Sequence, residues 1–111
     1  MIDLNKLPFN YWSNKMKISY LQRRIIVHSI IYYVLNESVI SDKEFDELSK
    51  QLVKLQNKNK NNFIESEYYY CMFDFDGSTG FHLYDRLIDV DKEKLMRISK
   101  NVLKNFKGGK Q

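Results

Sequence analysis

Residues 32–55 read YYVLNESVISDKEFDELSKQLVKL: the tail of one helix, a short turn, and a second helix with clear boundary signals. Ser41 stands at an N-cap position with Glu44 three residues on. That is the spacing of a capping box, in which two side chains serve amide donors that the helix leaves unpaired. Ile40 and Phe45 fall where a hydrophobic staple places its two members. Phe45, Leu48, Leu52 and Leu55 then recur at intervals of three and four, marking one apolar face. Asp46 and Lys50 have the spacing of an ion pair on the wet side. Upstream, the spacing predicts a long helix over Ser13–Asn36. Ile18, Leu21, Ile25, Tyr32 and Leu35 lie on one face with His28 in the same row, and Val27, Ile31 and Val34 fill a second. The β-branched residues of 25–34 make a strand the competing reading there. With a helix, the two elements form an antiparallel hairpin turning through Asn36–Ile40.

Outward from the hairpin the signals weaken. Met1–Trp12 carries Pro8 among Leu7, Phe9, Tyr11 and Trp12. It reads as an extended arm whose aromatics cover the core or meet a partner, with a homodimer as one form of that. Gln56–Asn62, QNKNKNN, reads as a polar connector (residues 57–62 being the linker proper). Glu67–Phe73, EYYYCMF, has the aromatic composition of a buried strand, and Asp74–Gly80, DFDGSTG, that of a loop. Residues 81–88 fit a helix through Phe81, Tyr84 and Ile88, or a strand through Phe81 and Leu83. Asp91 has the place of a cap for a final helix to about Phe106, with Leu95, Ile98, Val102 and Phe106 as its buried row. The expectation is one domain over 1–111, mainly α with an α+β character. A helical hairpin and a C-terminal helix would surround one short strand or β-hairpin.

Composition narrows the function classes. The 111 residues are 43% apolar and 14% aromatic, which suits a folded domain with one core. The 18 Lys and Arg are interleaved with 14 acids, so the net charge of +4 is not gathered into a nucleic-acid stripe. Lys15, Lys17, Arg23 and Arg24 are the cluster a DNA contact would use. One cysteine and two histidines leave no internal disulfide and no zinc site of the usual kind. The longest apolar block, Ile25–Leu35, has 11 residues, against roughly 20 needed to span a bilayer. The start of the chain does not have the form of a signal peptide, and a cytoplasmic protein is expected. His28 reads as a hydrogen-bonded polar spot on its helix, since no acid partner lies near it in sequence.

The aromatic pair, the short turn and the Ile-Ser-Asp-x-Glu-Phe-Asp-x-Leu run of 40–48 resemble the N-terminal helical domain, domain Ia, of bacterial NAD-dependent DNA ligases. The resemblance covers about residues 18–56. It implies a helical hairpin that closes over the nicotinamide mononucleotide half of NAD, with aromatic rings on the nicotinamide and carboxylates on the sugar. Such a site is physically sound, because a flat cationic ring favours aromatic faces and ribose hydroxyls donate well to carboxylates. The family's first aromatic falls on Tyr32 and its two aspartates on Asp42 and Asp46. Its histidine falls on Tyr33 and its second tyrosine on Phe45. Phe45 keeps a stacking face without a hydroxyl, and Tyr33 has no imidazole. Adenylation needs Lys-x-Asp-Gly, but the Asp76–Gly77 pair has Asp74 in the lysine's place, so no ligation is expected from these residues.

YYYCMFDFDGSTG also looks like the first motif of haloacid-dehalogenase-type phosphatases, with Asp74 as nucleophile and Asp76 as acid/base. That family needs a parallel sheet and further motifs, so a partner-recognition loop using Asp74, Asp76, Ser78 and Thr79 is the expectation instead. Short proteins that combine these two features look like products of phages and mobile elements. On that analogy the chain is a non-catalytic binding protein, inhibiting a host or defence protein such as a CRISPR effector and needing no cofactor. The alternatives are a module binding nicotinamide mononucleotide or NAD through Tyr32, Tyr33, Asp42, Phe45 and Asp46, or a DNA-binding accessory protein.

Overall fold

A computed structural model describes residues 12–108 of the chain. Helix α1 spans Asn14–Ser29, and the Ser13 hydroxyl caps it by accepting the Met16 amide at 3.2 Å. The helix then widens into a π turn, Ile30–Val34, in which the Leu35 amide reaches back to the Ile30 carbonyl. One inserted residue rotates everything after it by about 100°. Ile18, Leu21 and Ile25 are therefore buried as the spacing predicts, but Ile30 and Ile31 take the next buried places. Tyr32, expected on that face, is turned outward with Tyr33 and Val34. Asn36 closes the turn at φ 56, a left-handed conformation that asparagine tolerates better than most residues. The strand reading of 25–34 does not hold.

Helix α2, Asp42–Lys58, begins as its cap signals require: the Ser41 hydroxyl accepts the Glu44 amide at 3.1 Å and donates to the Glu44 carboxylate at 3.3 Å. Leu52 is fully buried, while Phe45, Leu48 and Leu55 pack against the core from its margin. The Asp46–Lys50 ion pair does not form, and both side chains stay exposed.

The connector at 56–62 is corrected to a helical corner. α2 continues to Lys58, Asn59 breaks the helix, and α3 resumes at Lys60–Ile64. The Asn59 side chain donates to the Leu55 carbonyl at 2.9 Å and accepts from Asn14 at the same distance. Gln56 is buried rather than solvated, because Gln22 of α1 donates to its side-chain carbonyl at 3.2 Å. Gln22 also donates to the Ser66 hydroxyl at 2.9 Å and accepts the Tyr68 amide at 3.1 Å. Four residues from three segments thus satisfy one another inside the protein.

The expected strand at 67–73 is also corrected, since no strand occurs among the described residues. Its place is taken by turns and a short helix, α4, Tyr69–Met72. Tyr68, Cys71 and Met72 are all buried, and their spacing of three and four is helical. Tertiary packing has overridden the β propensity of the aromatics. Burial pushes the Cys71 thiol up to about 11. The ambiguity at 81–88 resolves to one helical turn, α5, Leu83–Arg86. Finally α6, Asp89–Gly108, starts two residues ahead of the expected cap, and Asp91 instead accepts the Tyr70 hydroxyl. The Ser99 hydroxyl of α6 donates to the Leu95 carbonyl at 2.7 Å and approaches the Val27 carbonyl of α1 at 3.4 Å. One core results from α1, its π turn, α2 and α6, completed by Tyr68, Cys71, Met72, Leu83 and Leu87.

Candidate functional site

The outward turn of Tyr32 and Tyr33 sets one wall of a cavity of about 310 Å³. The hairpin turn and the start of α2 supply Ser38, Val39, Ile40, Ser41, Asp42, Phe45 and Asp46. His28 and Ser29 of α1 line it between these, and Ser78 and Thr79 close the remaining side. All five residues of the ligase-like pattern are therefore brought together. Two of the four loop residues singled out in the sequence join them.

Tyr32 is 52% exposed and Tyr33 38%, so both keep ring surface available to a ligand. Their rings meet edge to face at 4.8 Å, and Tyr33 meets Phe81 in the same way at 5.3 Å. The Tyr33 hydroxyl lies 3.1 Å from that of Thr79. Asp42 and Asp46 are exposed, and neither forms an ion pair among the described residues. No Lys or Arg lines the cavity. The chemistry is thus aromatic and hydroxylic with two uncompensated carboxylates, suited to a flat cation bearing hydroxyl groups. At about 300 Å³ the volume is at the small end of ligand sites.

Asp74 and Asp76 do not line the cavity; both serve the loop itself. Arg86 grips Asp74 with two guanidinium nitrogens, at 2.5 and 3.2 Å, and holds its carboxyl below the usual range. Asp76 accepts the Ser78 hydroxyl at 2.6 Å and amide at 2.9 Å, which lowers its carboxyl likewise. Asp74 is thereby tied up as a structural anchor rather than positioned as a nucleophile. The cluster proposed for DNA is strung along α1, where Arg24 lies 5.9 Å over the Tyr20 ring. Trp12 packs edge-on against Tyr20 of its own chain at 5.3 Å. The remainder of the aromatic arm, 1–11, lies outside the described residues.

His28 is the cavity residue that the sequence reading set aside. It precedes Tyr32 by four residues, one turn back on the same row, and that spacing was the available signal. The expected hydrogen bond is missing among the described residues. Its ring is half-buried, and desolvation, then the Arg24 charge, bring its pKa from 6.5 to about 4 against a small opposing effect of Glu44. Protonation is thus harder in the folded state than in the unfolded chain. Stability should be full above pH ~6.5 and fall as the pH drops toward ~4, where the unfolded chain binds the extra proton. The contribution should be about 1–2 kcal/mol, discounting for partial exposure. Urea unfolding of wild type and His28→Asn between pH 7 and 4 reads it, and parallel pH profiles would remove His28 from the account.

Helical hairpin and cavity together define a small helical domain, and comparison with known proteins gives its family. The family described as "DNA ligase-like, N-terminal NAD+-binding domain" matches residues 12–70, more than half of the chain, and the protein belongs to it. The DNA ligase of Buchnera aphidicola subsp. Acyrthosiphon pisum (strain APS) is 44% identical over 48 residues, covering 43% of this chain and 7% of the ligase. Those of Thermosipho africanus and Fervidobacterium nodosum are 46% and 43% identical over 44 residues, covering 40% of this chain and 7% and 6% of the ligases. The chain therefore spans less than a tenth of the length of these relatives. No solved structure matches it. No described helix is long and apolar enough to cross a membrane, and no His, Cys, Asp and Glu cluster among the described residues could hold a metal ion.

Proposed function

We propose that the protein binds the nicotinamide mononucleotide part of NAD in the cavity between the π turn, the start of α2 and the Asp74–Gly80 loop. The observation that carries this reading is the convergence of Tyr32, Phe45, Asp42 and Asp46 on one cavity without a neutralising base. The aromatic faces take the nicotinamide ring, whose charge two carboxylates offset, and the same carboxylates accept ribose hydroxyls. Membership of a family described as NAD+-binding supports it. Tyr33 and Phe45 depart from the ligase pattern conservatively, as both keep an aromatic ring in the wall. Inhibition of a host defence protein, the reading drawn from mobile elements, has no counterpart among the comparisons, which favour the nucleotide reading over it. These residues have no Lys-x-Asp-Gly motif, so the proposed role is binding rather than adenylation.

Calorimetric titration with nicotinamide mononucleotide and with NAD tests the proposal. Wild type should show saturable binding. Asp42→Asn removes one charge from an exposed position, so it should leave folding unchanged and weaken binding by roughly 10- to 100-fold, the worth of a charge-assisted hydrogen bond. No heat from either ligand would refute the reading.

A further inference from the structure

The Asp74–Gly80 loop lies beyond residue 70, where the family match ends, yet it supplies a wall of the cavity. It is held from three directions. Arg86 grips Asp74 and also donates to the Cys71 carbonyl at 3.3 Å, fastening the loop's start to α4 and α5. Gly77, at φ +88, turns the chain against α2, where a Cβ would lie 3.4 Å from the Val53 side chain. Gly80 rests directly on Ser29 of α1. Between these anchors Thr79 points its hydroxyl at two groups: it accepts the Phe81 amide at 3.2 Å and pairs with the Tyr33 hydroxyl at 3.1 Å.

That pairing spans two segments 46 residues apart and ties the Tyr33 hydroxyl to the loop. Tyr33 lies within the π turn, lines the cavity with part of its ring exposed, and stands edge-on to both Tyr32 and Phe81. We infer that Thr79 is a positioning residue for nicotinamide nucleotides. It latches Tyr33 so that the aromatic wall has its bound orientation before the ligand arrives. The ligand then meets a preorganised face and need not order the side chain itself. The inference rests on the nucleotide reading of the cavity and extends it to a segment beyond the residues that the family match covers.

The test is titration with nicotinamide mononucleotide of wild type, Thr79→Val, Thr79→Ser, Tyr33→Phe and the double variant T79V/Y33F. Thr79→Val keeps the shape and removes the hydroxyl. It should weaken binding by roughly 3- to 10-fold, the worth of one neutral hydrogen bond, while the melting temperature stays near that of wild type. Thr79→Ser restores the hydroxyl and should restore affinity. Tyr33→Phe should reproduce most of the loss of Thr79→Val, which also gives up the Phe81 amide. The double variant should be no weaker than Thr79→Val, since Tyr33→Phe breaks no bond that Thr79→Val has not already broken. A wild type that binds while Thr79→Val binds equally well overturns the inference and leaves the nucleotide reading standing, as does a double variant whose losses add. A wild type that does not bind overturns both.

Discussion

Replacing Gln22 with alanine should destabilise the protein by about 3–4 kcal/mol, lowering the melting temperature by roughly 10–20 °C. Gln22 is fully buried, and its one amide serves Gln56, Ser66 and the Tyr68 backbone. Truncation leaves those groups without their partner in a place water does not reach, and it opens a void between α1 and the 56–68 corner. The first effect is the larger, because a buried donor without an acceptor loses its full hydration. Gln22→Met separates the two: it fills nearly the same volume and cannot pair, so it should still cost about 2 kcal/mol. Urea unfolding of the two variants measures this. A loss below about 1 kcal/mol in both would mean that the network is not formed as described.

Gly80→Ala should cost about 2–3 kcal/mol, the usual range for forcing an extra carbon into a close-packed contact. A Cβ at Gly80 would stand 2.0 Å from the Ser29 hydroxyl oxygen and 2.9 Å from the Ser29 Cβ. The hydroxyl can rotate away from its 2.8 Å bond to the Ile25 carbonyl, but the Ser29 Cβ is fixed to the helix backbone. Relief therefore requires the loop to lift from α1, and that moves Ser78 and Thr79 off the cavity. Ser29→Gly in the same chain removes both obstructing atoms, so S29G/G80A should recover most of the loss despite the helix penalty of about 1 kcal/mol for glycine. A Gly80→Ala protein as stable as wild type would show that the loop does not sit on α1.

Where local chemistry decides the structure, the residues announced it. The start of α2 is one such place: Ser41 and Glu44 are three residues apart, and their bonds need nothing from the rest of the fold. The same stretch carries the ligase resemblance, so Tyr32, Tyr33, Asp42, Phe45 and Asp46 are legible as a group from the sequence. The π turn was not legible, because it is set by burying Ile30 and Ile31 in succession rather than by any residue that prefers a wide turn. Without it, Tyr32 counts as core. Gln56 looked like linker since its partner, Gln22, lies 34 residues away. The 67–73 segment was misread as a strand because its aromatic composition outweighed the helical spacing of Tyr68, Cys71 and Met72. Asp74, Asp76, Ser78 and Thr79 together read as a recognition loop, but only Ser78 and Thr79 line the cavity, while Asp74 and Asp76 hold the loop.

The most direct test of the nucleotide cavity is a titration of the uniformly 15N-labelled protein with nicotinamide mononucleotide, followed by amide NMR shifts. The account requires saturable shifts concentrated at Tyr32 to Asp46 and at Ser78 to Phe81, with α6 beyond Ser99 unaffected. Shifts absent from the first stretch, or saturable shifts confined to α6, would contradict it.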